Sequence, residues 1–335
     1  MSLPVSLSSP LAIAGVRVAN RVFVAPMSGV SDQAFRSLAW RFGAGLVFSE
    51  MIASEALVEG KGLMALKALP SGGPVHAVQL AGREPKWLVL AAQMAEADGA
   101  DLIDINMGCP AKRVTNGLCG SALMREPDLA LRLIEAVAGS VKIPVTVKMR
   151  LGWDAQNLNA PDIARSAESA GVAMISIHGR TRCQFYNGSA DWRAVSAVKQ
   201  AVGIPVVVNG DIHDRASARQ ALNHSGADAV MIGRASYGAP WLAGVTAGTT
   251  AANRIDRQFV LETAIEHYLA LLGLYGTQSG LRQARKHLGW YLARIEKPGE
   301  TIQSREIMTS ENPARIVALL TALFEHDPAM QAAAA

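Results

Sequence analysis

Val145–His178 reads VTVKMRLGWDAQNLNAPDIARSAESAGVAMISIH, a strand, a helix and a second strand in succession. Val145–Met149 and Met174–His178 are short, mostly apolar runs without strict alternation. That is the composition of strands buried on both faces of a parallel sheet. Between them Pro161–Ala170 carries the helical pattern, and Gly171 follows where a helix C-terminus favours glycine.

Working outward, the same unit recurs. Val22–Pro26, Gly45–Ser49, Val75–Leu80 and Leu102–Asn106 precede it, and Val206–Asn209 and Ala229–Gly233 follow, giving eight runs. Glu84–Asp98, Asp128–Ala138 and Asp191–Val202 read as helices between them, with Gly203 and Gly226 as stops and Asp191 and Asp214 as N-caps. Eight strand–helix alternations predict an α/β fold, a closed (β/α)8 TIM barrel over residues 1–246. An open doubly wound sheet is the rival, opposed by the strand count and by the lack of GxGxxG after the first strand. Leu11–Val18 is expected to form a hairpin plugging the barrel's bottom. Ala247–Arg254 reads as a linker. Beyond it the strand pattern stops, and Gln258–Tyr275, Gly280–Arg294, Thr301–Met308 and Asn312–Glu325 read as a smaller all-α C-terminal domain over 255–330. Ala332–Ala335 is expected to fray.

At 335 residues the chain exceeds a typical barrel of about 250, which leaves room for that appendage. Hydrophobic residues at 50% support a large core, and aromatics at 5% leave the packing to Ala, Val, Leu and Ile. A net charge of +4 permits a polyanionic partner without demanding one. Cys109, Cys119 and Cys183 show no paired pattern, which argues for a reducing compartment. No signal peptide and no apolar run of about 18 residues is read. A cytoplasmic protein with no membrane contact is the expectation, and a monomer the default.

In such a barrel the chemistry sits at the C-terminal strand ends. Those ends carry Pro26-Met27, Glu50-Met51, Gln79, Asn106, Lys148 with Arg150, His178 with Arg180, Asn209-Gly210-Asp211, and Gly233-Arg234. Asn209–Asp211 and Gly233-Arg234 follow strands seven and eight, where barrels commonly bind phosphate. Lys148 is placed to hold an anionic ring edge. Gln79 and Asn106 offer the donors and acceptors that a pyrimidine edge needs. Cys109, between Gly108 and Pro110, places a thiol just past a strand end, where it can deliver a proton. Cys119 and Cys183 read as bystanders. Lys112, Arg113, Arg125, Arg150, Arg180 and Arg182 form a basic rim suited to a phosphate-rich substrate, or simply a solvated edge. In the helical domain Arg282, Arg285 and Lys286 cluster, with His287 and Arg294, near Trp290 and Tyr291.

At these residues the chain resembles the tRNA-dihydrouridine synthase family in its B-type branch. The resemblance runs through APMSGVSD (Ala25–Asp32), VQLAG (Val78–Gly82), DINMGCPAKRV (Asp104–Val114), GSALM (Gly120–Met124), VKMRLGW (Val147–Trp153), IHGRTR (Ile177–Arg182), NGDI (Asn209–Ile212), MIGRA (Met231–Ala235) and RKHLGWY (Arg285–Tyr291). It implies FMN held by Pro26, Met27, Ser28, Gln79, Lys148, His178, Asn209, Gly210, Asp211, Gly233 and Arg234. It implies a substrate uracil facing Asn106 and Arg180, with Cys109 as proton donor and NADPH as reductant. The substrate would be a D-loop uridine of tRNA, with position 17 in tRNA numbering suggested by the B-type branch. Lys112 and Arg113 on the barrel, and Arg282, Arg285 and Lys286 on the helical domain, would contact the tRNA. Where the family usually has Lys-Lys-Val, this chain has Lys112-Arg113-Val114, which keeps the charge. A free-pyrimidine flavoenzyme and a non-catalytic tRNA-binding barrel are the alternatives.

Overall fold

The computed structural model describes residues 6–295 and 302–325; Thr301 and the expected fraying at Ala332–Ala335 lie outside them. The chain opens with an antiparallel hairpin of β1 (Leu11–Ile13) and β2 (Val16–Val18). Ala14 and Gly15 turn it at φ +43° and +92°, the two positive values a tight hairpin of matching twist demands.

Nine parallel strands follow: β3 (Val22–Val24), β4 (Leu46–Val47), β5 (Ile52–Ala53), β6 (Ala77–Ala81), β7 (Leu102–Met107), β8 (Val145–Arg150), β9 (Met174–His178), β10 (Val206–Asn209) and β11 (Ala229–Ile232). Their order is β4-β3-β11-β10-β9-β8-β7-β6-β5. A parallel bridge from Phe48 to Ala77 joins β4 to β6, and Ser49 N donates to Ala77 O at 3.0 Å. The sheet is thereby closed into the (β/α)8 barrel, with β4 and β5 as two pieces of one interrupted barrel strand. The interruption at Ser49–Met51 explains why only the first piece reads as a strand in sequence: Ser49 and Glu50 break the apolar run.

The helices Pro85–Ala97, Pro127–Ala138, Ala160–Ser169 and Arg215–Ser225 lie between the strands. Asp214 closes a capping box with Ser217, and Gly226 ends that helix at φ +67°. Asp191 differs from expectation. Its carboxylate accepts from Ala194 N at 2.9 Å in the turn before the helix Val195–Ala201, so it caps the turn and not the helix. The helix Gln33–Arg41, capped by Asp32 through Phe35 N, has too short an apolar pattern to stand out in sequence.

The chain divides into two compact units, Met1–Ser236 with Trp241–Thr249, and Tyr237–Pro240 with Thr250–Ala335. The second holds the helices Arg257–Tyr275, Thr277–Ile295, Ile302–Thr309 and Pro313–Glu325. Tyr237–Pro240, inside the expected barrel span, join it because Tyr237 stacks on Trp290 at 4.1 Å between ring centroids. Among the described residues no helix is long and apolar enough to cross a membrane.

Candidate active site

Inward-facing residues of β6, β7 and β8 form one directed hydrogen-bond chain that runs to the loop after β7. Thr146 Oγ1 donates to Asp104 Oδ1 at 2.6 Å, and Gln79 Nε2 donates to Asp104 Oδ2 at 2.6 Å. Gln79 Oε1 accepts from Asn106 Nδ2 at 2.7 Å, and Asn106 Oδ1 accepts from Cys109 N at 3.0 Å and Gly108 N at 3.2 Å. A carboxylate only accepts, so Asp104 sets the direction of every later bond. Gln79 must turn its amide nitrogen inward, which leaves its oxygen for Asn106. Asn106 then has its own oxygen free to hold the loop of Cys109. Burial pushes the Asp104 carboxyl up to about 6, against the hydrogen bonds from Thr146 and Gln79 and the charge of Lys148.

The Cys109 loop is held from its other side as well. Ser121 N and Oγ donate to Cys109 O at 3.0 and 2.9 Å. Gly120 sits at φ +60°, where an added Cβ would lie 2.8 Å from that same oxygen. Cys109 itself is half-buried and free. Its thiol therefore sits on a loop braced at both ends, at the rim of the barrel.

Across the mouth, Lys148 Nζ donates to Asn209 Oδ1 at 3.0 Å, and Asn209 Nδ2 to Met231 O at 2.8 Å. Burial pulls the Lys148 ammonium down to about 8, while Asp104 opposes the shift. At neutral pH the lysine is still mostly charged. Burial, with Arg150, Lys148, Arg180 and Arg234 around it, holds His178 well below the ordinary histidine range, so its ring is neutral. Gly210 (φ +117°) and Asp211 (φ +54°) make a tight turn after β10, with Gly210 O accepting from Trp192 Nε1 at 2.8 Å. A Cβ on Gly210 would lie 2.7 Å from Ala190 Cβ and 2.8 Å from His178 Cδ2, so only glycine fits there.

Pro26, Met27 and the exposed Ser28 form the loop after β3. Met27 N donates to Ser31 Oγ at 2.7 Å, and Gly29 N donates to the buried Glu50 carboxylate. After β11, Ser236 N and Oγ fasten Gly233 O at 2.9 and 2.7 Å, and the exposed Arg234 lies 3.6 Å from Asp211. Lys112 and Arg113 are exposed on the short helix Lys112–Thr115. Arg282, Arg285 and Lys286 fall on one helix at spacings that share a face; Arg282 is exposed and Lys286 Nζ donates to Gln283 Oε1 at 2.7 Å.

Two rim arginines differ from expectation. Arg180 is only 2% exposed, and its guanidinium donates to both oxygens of Asp211 at 2.9 and 2.6 Å, to Asn187 O and to Gly188 O. Its remaining N–H faces His178 Nε2 at 3.4 Å. With four of its N–H groups given to Asp211, Asn187 O and Gly188 O, Arg180 holds Asp211 and the loop beyond β9 in place. Arg150, 1% exposed, likewise donates to Gly108 O, Thr181 O and Phe185 O, each at 2.8 Å. A carbonyl cage cannot be read from a basic residue's place in sequence.

Asp104 and Thr146, the origin of the directed chain, were not among the expected site residues; a carboxylate two residues before Asn106 on one strand face was the available signal. Tyr186 was missed too. It is 43% exposed, with Arg234 Cζ 4.6 Å and the His178 ring 6.4 Å from its ring centroid. Adjacent aromatics Phe185-Tyr186 in a polar loop were the clue.

Residues 23–325 match the family model described as dihydrouridine synthase (Dus). A probable tRNA-dihydrouridine synthase of Rhizobium leguminosarum bv. phaseoli is 53% identical over 303 residues, covering 90% of this chain and 95% of the relative. One from Rhodobacter capsulatus is 51% identical over 321 residues, covering 94% and 98%. The tRNA-dihydrouridine synthase B of Xanthomonas axonopodis pv. citri is 47% identical over 280 residues, covering 82% and 84%. Among solved structures, morphinone reductase superposes with a TM-score of 0.53 at 17% identity, covering 77% of this chain and 93% of that one. A 2-naphthoyl-CoA reductase gives 0.58 at 14%, covering 73% and 52%; at such identities the likeness is one of fold. With the family model matched over residues 23–325 and about half of the aligned residues identical to those of relatives covered almost end to end, the chain belongs to the dihydrouridine synthase family.

Proposed function

We propose that this protein reduces uridine in tRNA to 5,6-dihydrouridine, using FMN held in the barrel mouth and NADPH as the source of electrons. The observation that carries the reading is the directed chain Asp104–Gln79–Asn106–Cys109, which lines up a pyrimidine-binding amide with a thiol. The residues opposite fit FMN. Lys148 offers a buried cation for the flavin's anionic edge, and the Gly210-Asp211 turn with Gly233 and Arg234 suits its phosphate. Gln79, His178 and Asn209 complete the cradle, with the Pro26–Ser28 loop along one side.

When bound, the flavin supplies the hydride that adds to C6 of uracil. The protein's own residues do the rest. Asn106 has a second Nδ2–H to present to the base. Cys109 delivers a proton to C5, and its thiolate regains one from solvent, so two electrons and two hydrogens saturate the C5–C6 bond. Arg180 keeps Asp211 in place beside the phosphate turn. Tyr186 offers a flat face beside Arg234. The base must leave its stack to enter so deep a mouth.

The barrel is the catalytic domain in this reading, and the helical domain, with Arg282, Arg285 and Lys286, binds tRNA. Its substrate would be a D-loop uridine, position 17 foremost, and the enzyme would work as a cytoplasmic monomer. The test is to purify the protein and supply NADPH and tRNA from cells lacking dihydrouridine. A yellow protein that forms dihydrouridine at one mapped position supports the proposal. Protein that binds no added FMN, or that reduces free uracil faster than tRNA, refutes it.

A further inference from the structure

The rim of the barrel carries two kinds of arginine. Arg150 and Arg180 are buried, with most of their N–H groups given to carbonyls and to Asp211. Arg125 and Arg182 are built differently. Both stack on the indole of Trp153, with guanidinium carbons 3.9 and 4.6 Å from a ring centroid. Arg125 ends the short helical segment Gly120–Arg125 beyond β7, Trp153 follows β8, and Arg182 follows β9. Three consecutive strand-end loops therefore meet on one ring. Arg182 N donates to Gly152 O at 3.0 Å and Cys183 N to Trp153 O at 2.8 Å, which locks the last two together.

Neither guanidinium has a carboxylate or other acceptor among the described residues, and Arg182 Nε is buried without a hydrogen-bond partner. The nearby Asp154 carboxylate faces its own loop, accepting from Gln156 N at 3.1 Å and Asn157 Nδ2 at 2.8 Å. Two cations held against one ring repel each other unless an anion joins them. Stacking covers the face of a guanidinium and leaves its terminal Nη donors for a ligand, in the planar fork that matches two phosphate oxygens. It also removes side-chain freedom before any ligand arrives.

From this geometry, and resting on the uridine reading above, we infer that Arg125, Trp153 and Arg182 clamp a backbone phosphodiester of the RNA beside the target nucleotide. Arg150 fixes the distance: its one guanidinium holds Gly108 O, next to Cys109, and Thr181 O, next to Arg182. A nucleotide whose base enters the mouth leaves its phosphates at this rim. The pair would grip one of them and set how far the base reaches toward Cys109.

The test uses the FMN-loaded enzyme and unmodified tRNA transcript. Arg125→Ala with Arg182→Ala should weaken tRNA binding roughly tenfold at low salt and lower the log–log salt slope by about one. Reduction of the bound flavin by NADPH should stay at the wild-type rate. A methylphosphonate at one linkage flanking the target uridine should weaken the wild type and leave the double variant unaffected. Lys at both positions should restore less than half of the lost affinity, since ammonium groups neither stack nor fork. Wild-type affinity and slope in the double variant, full rescue by lysine, or equal methylphosphonate effects in both proteins would each overturn the clamp. A wild-type enzyme that forms no dihydrouridine would instead sink the functional reading on which the clamp rests.

Discussion

The two ends of the barrel interior are built from the same strands and do opposite things. At the N-terminal end, Phe23, Leu46, Phe48, Ala77, Leu102, Met174, Val207, Ala229 and Met231 pack with Leu11, Ile13 and Val18 of the hairpin into one apolar cluster. One or two inward positions further along β6, β7, β9 and β10 stand Gln79, Asp104, Asn106, His178 and Asn209, joined by Lys148 of β8. The first layer stabilises by removing apolar area from water. The second costs stability, because it keeps a carboxylate, an ammonium and four further polar side chains in a space with little solvent. The contrast teaches that the floor makes the fold and the mouth makes use of it.

The largest expected effect falls at the mouth. Cys109→Ala should slow reoxidation of reduced flavin by tRNA by about 10²–10⁴-fold, the usual contribution of a general acid. Stopped-flow reduction by NADPH should be unchanged, as should thermal stability. Loss of both half-reactions would make the cysteine structural and blur the division between the two ends.

The reciprocal change is at the floor. Phe23 is fully buried, and Phe23→Ala should cost about 3–5 kcal/mol in chemical denaturation while the folded fraction keeps its flavin absorbance. Lys148→Ala should do the reverse, leaving the unfolding midpoint unchanged or higher while FMN dissociates. If Lys148→Ala destabilised as much as Phe23→Ala, the mouth would be part of the folding core.

The smallest effect is one of pH. Lys148 is pulled down to about 8, so the charge that draws an anionic ligand is lost as pH rises through that value. FMN affinity, read by fluorescence titration, should fall severalfold between pH 7 and 9, and Lys148→Arg should flatten the profile. For stability the sign is opposite. The folded value lies below the unfolded one, so this lysine's contribution is present at high pH and lost as pH falls through about 8. A stability profile of the ligand-free protein that drops between pH 8 and 10 through Lys148 would contradict this.

Much of the fold is legible in the amino-acid sequence. The runs at Met174–His178 and Val206–Asn209 are the observed strands residue for residue, because parallel strands buried on both faces must be continuously apolar. The strand at Leu46–Ala53 was only half legible, since Ser49 and Glu50 interrupt it for the sake of the mouth. Strand-end chemistry pointed to the mouth where Gln79, Asp104 and Asn106 are hydrogen-bonded to one another. The roles of Arg150 and Arg180 were not legible, because a rim arginine and a buried one have the same letter and the same place in the strand pattern.

What the amino-acid order determined by itself was periodicity: eight apolar runs, the helices between them, and a cysteine between glycine and proline just past a strand. Those features are local, and local sterics and burial suffice to read them. The tertiary structure alone decided which polar groups meet. Asp104, Gln79 and Thr146 come from three strands, and Asp211 lies 31 residues from its partner Arg180. Their hydrogen bonds exist only once the sheet closes, and closure excludes the water that would otherwise satisfy each group separately. With water gone, one carboxylate's inability to donate dictates the orientation of every amide after it.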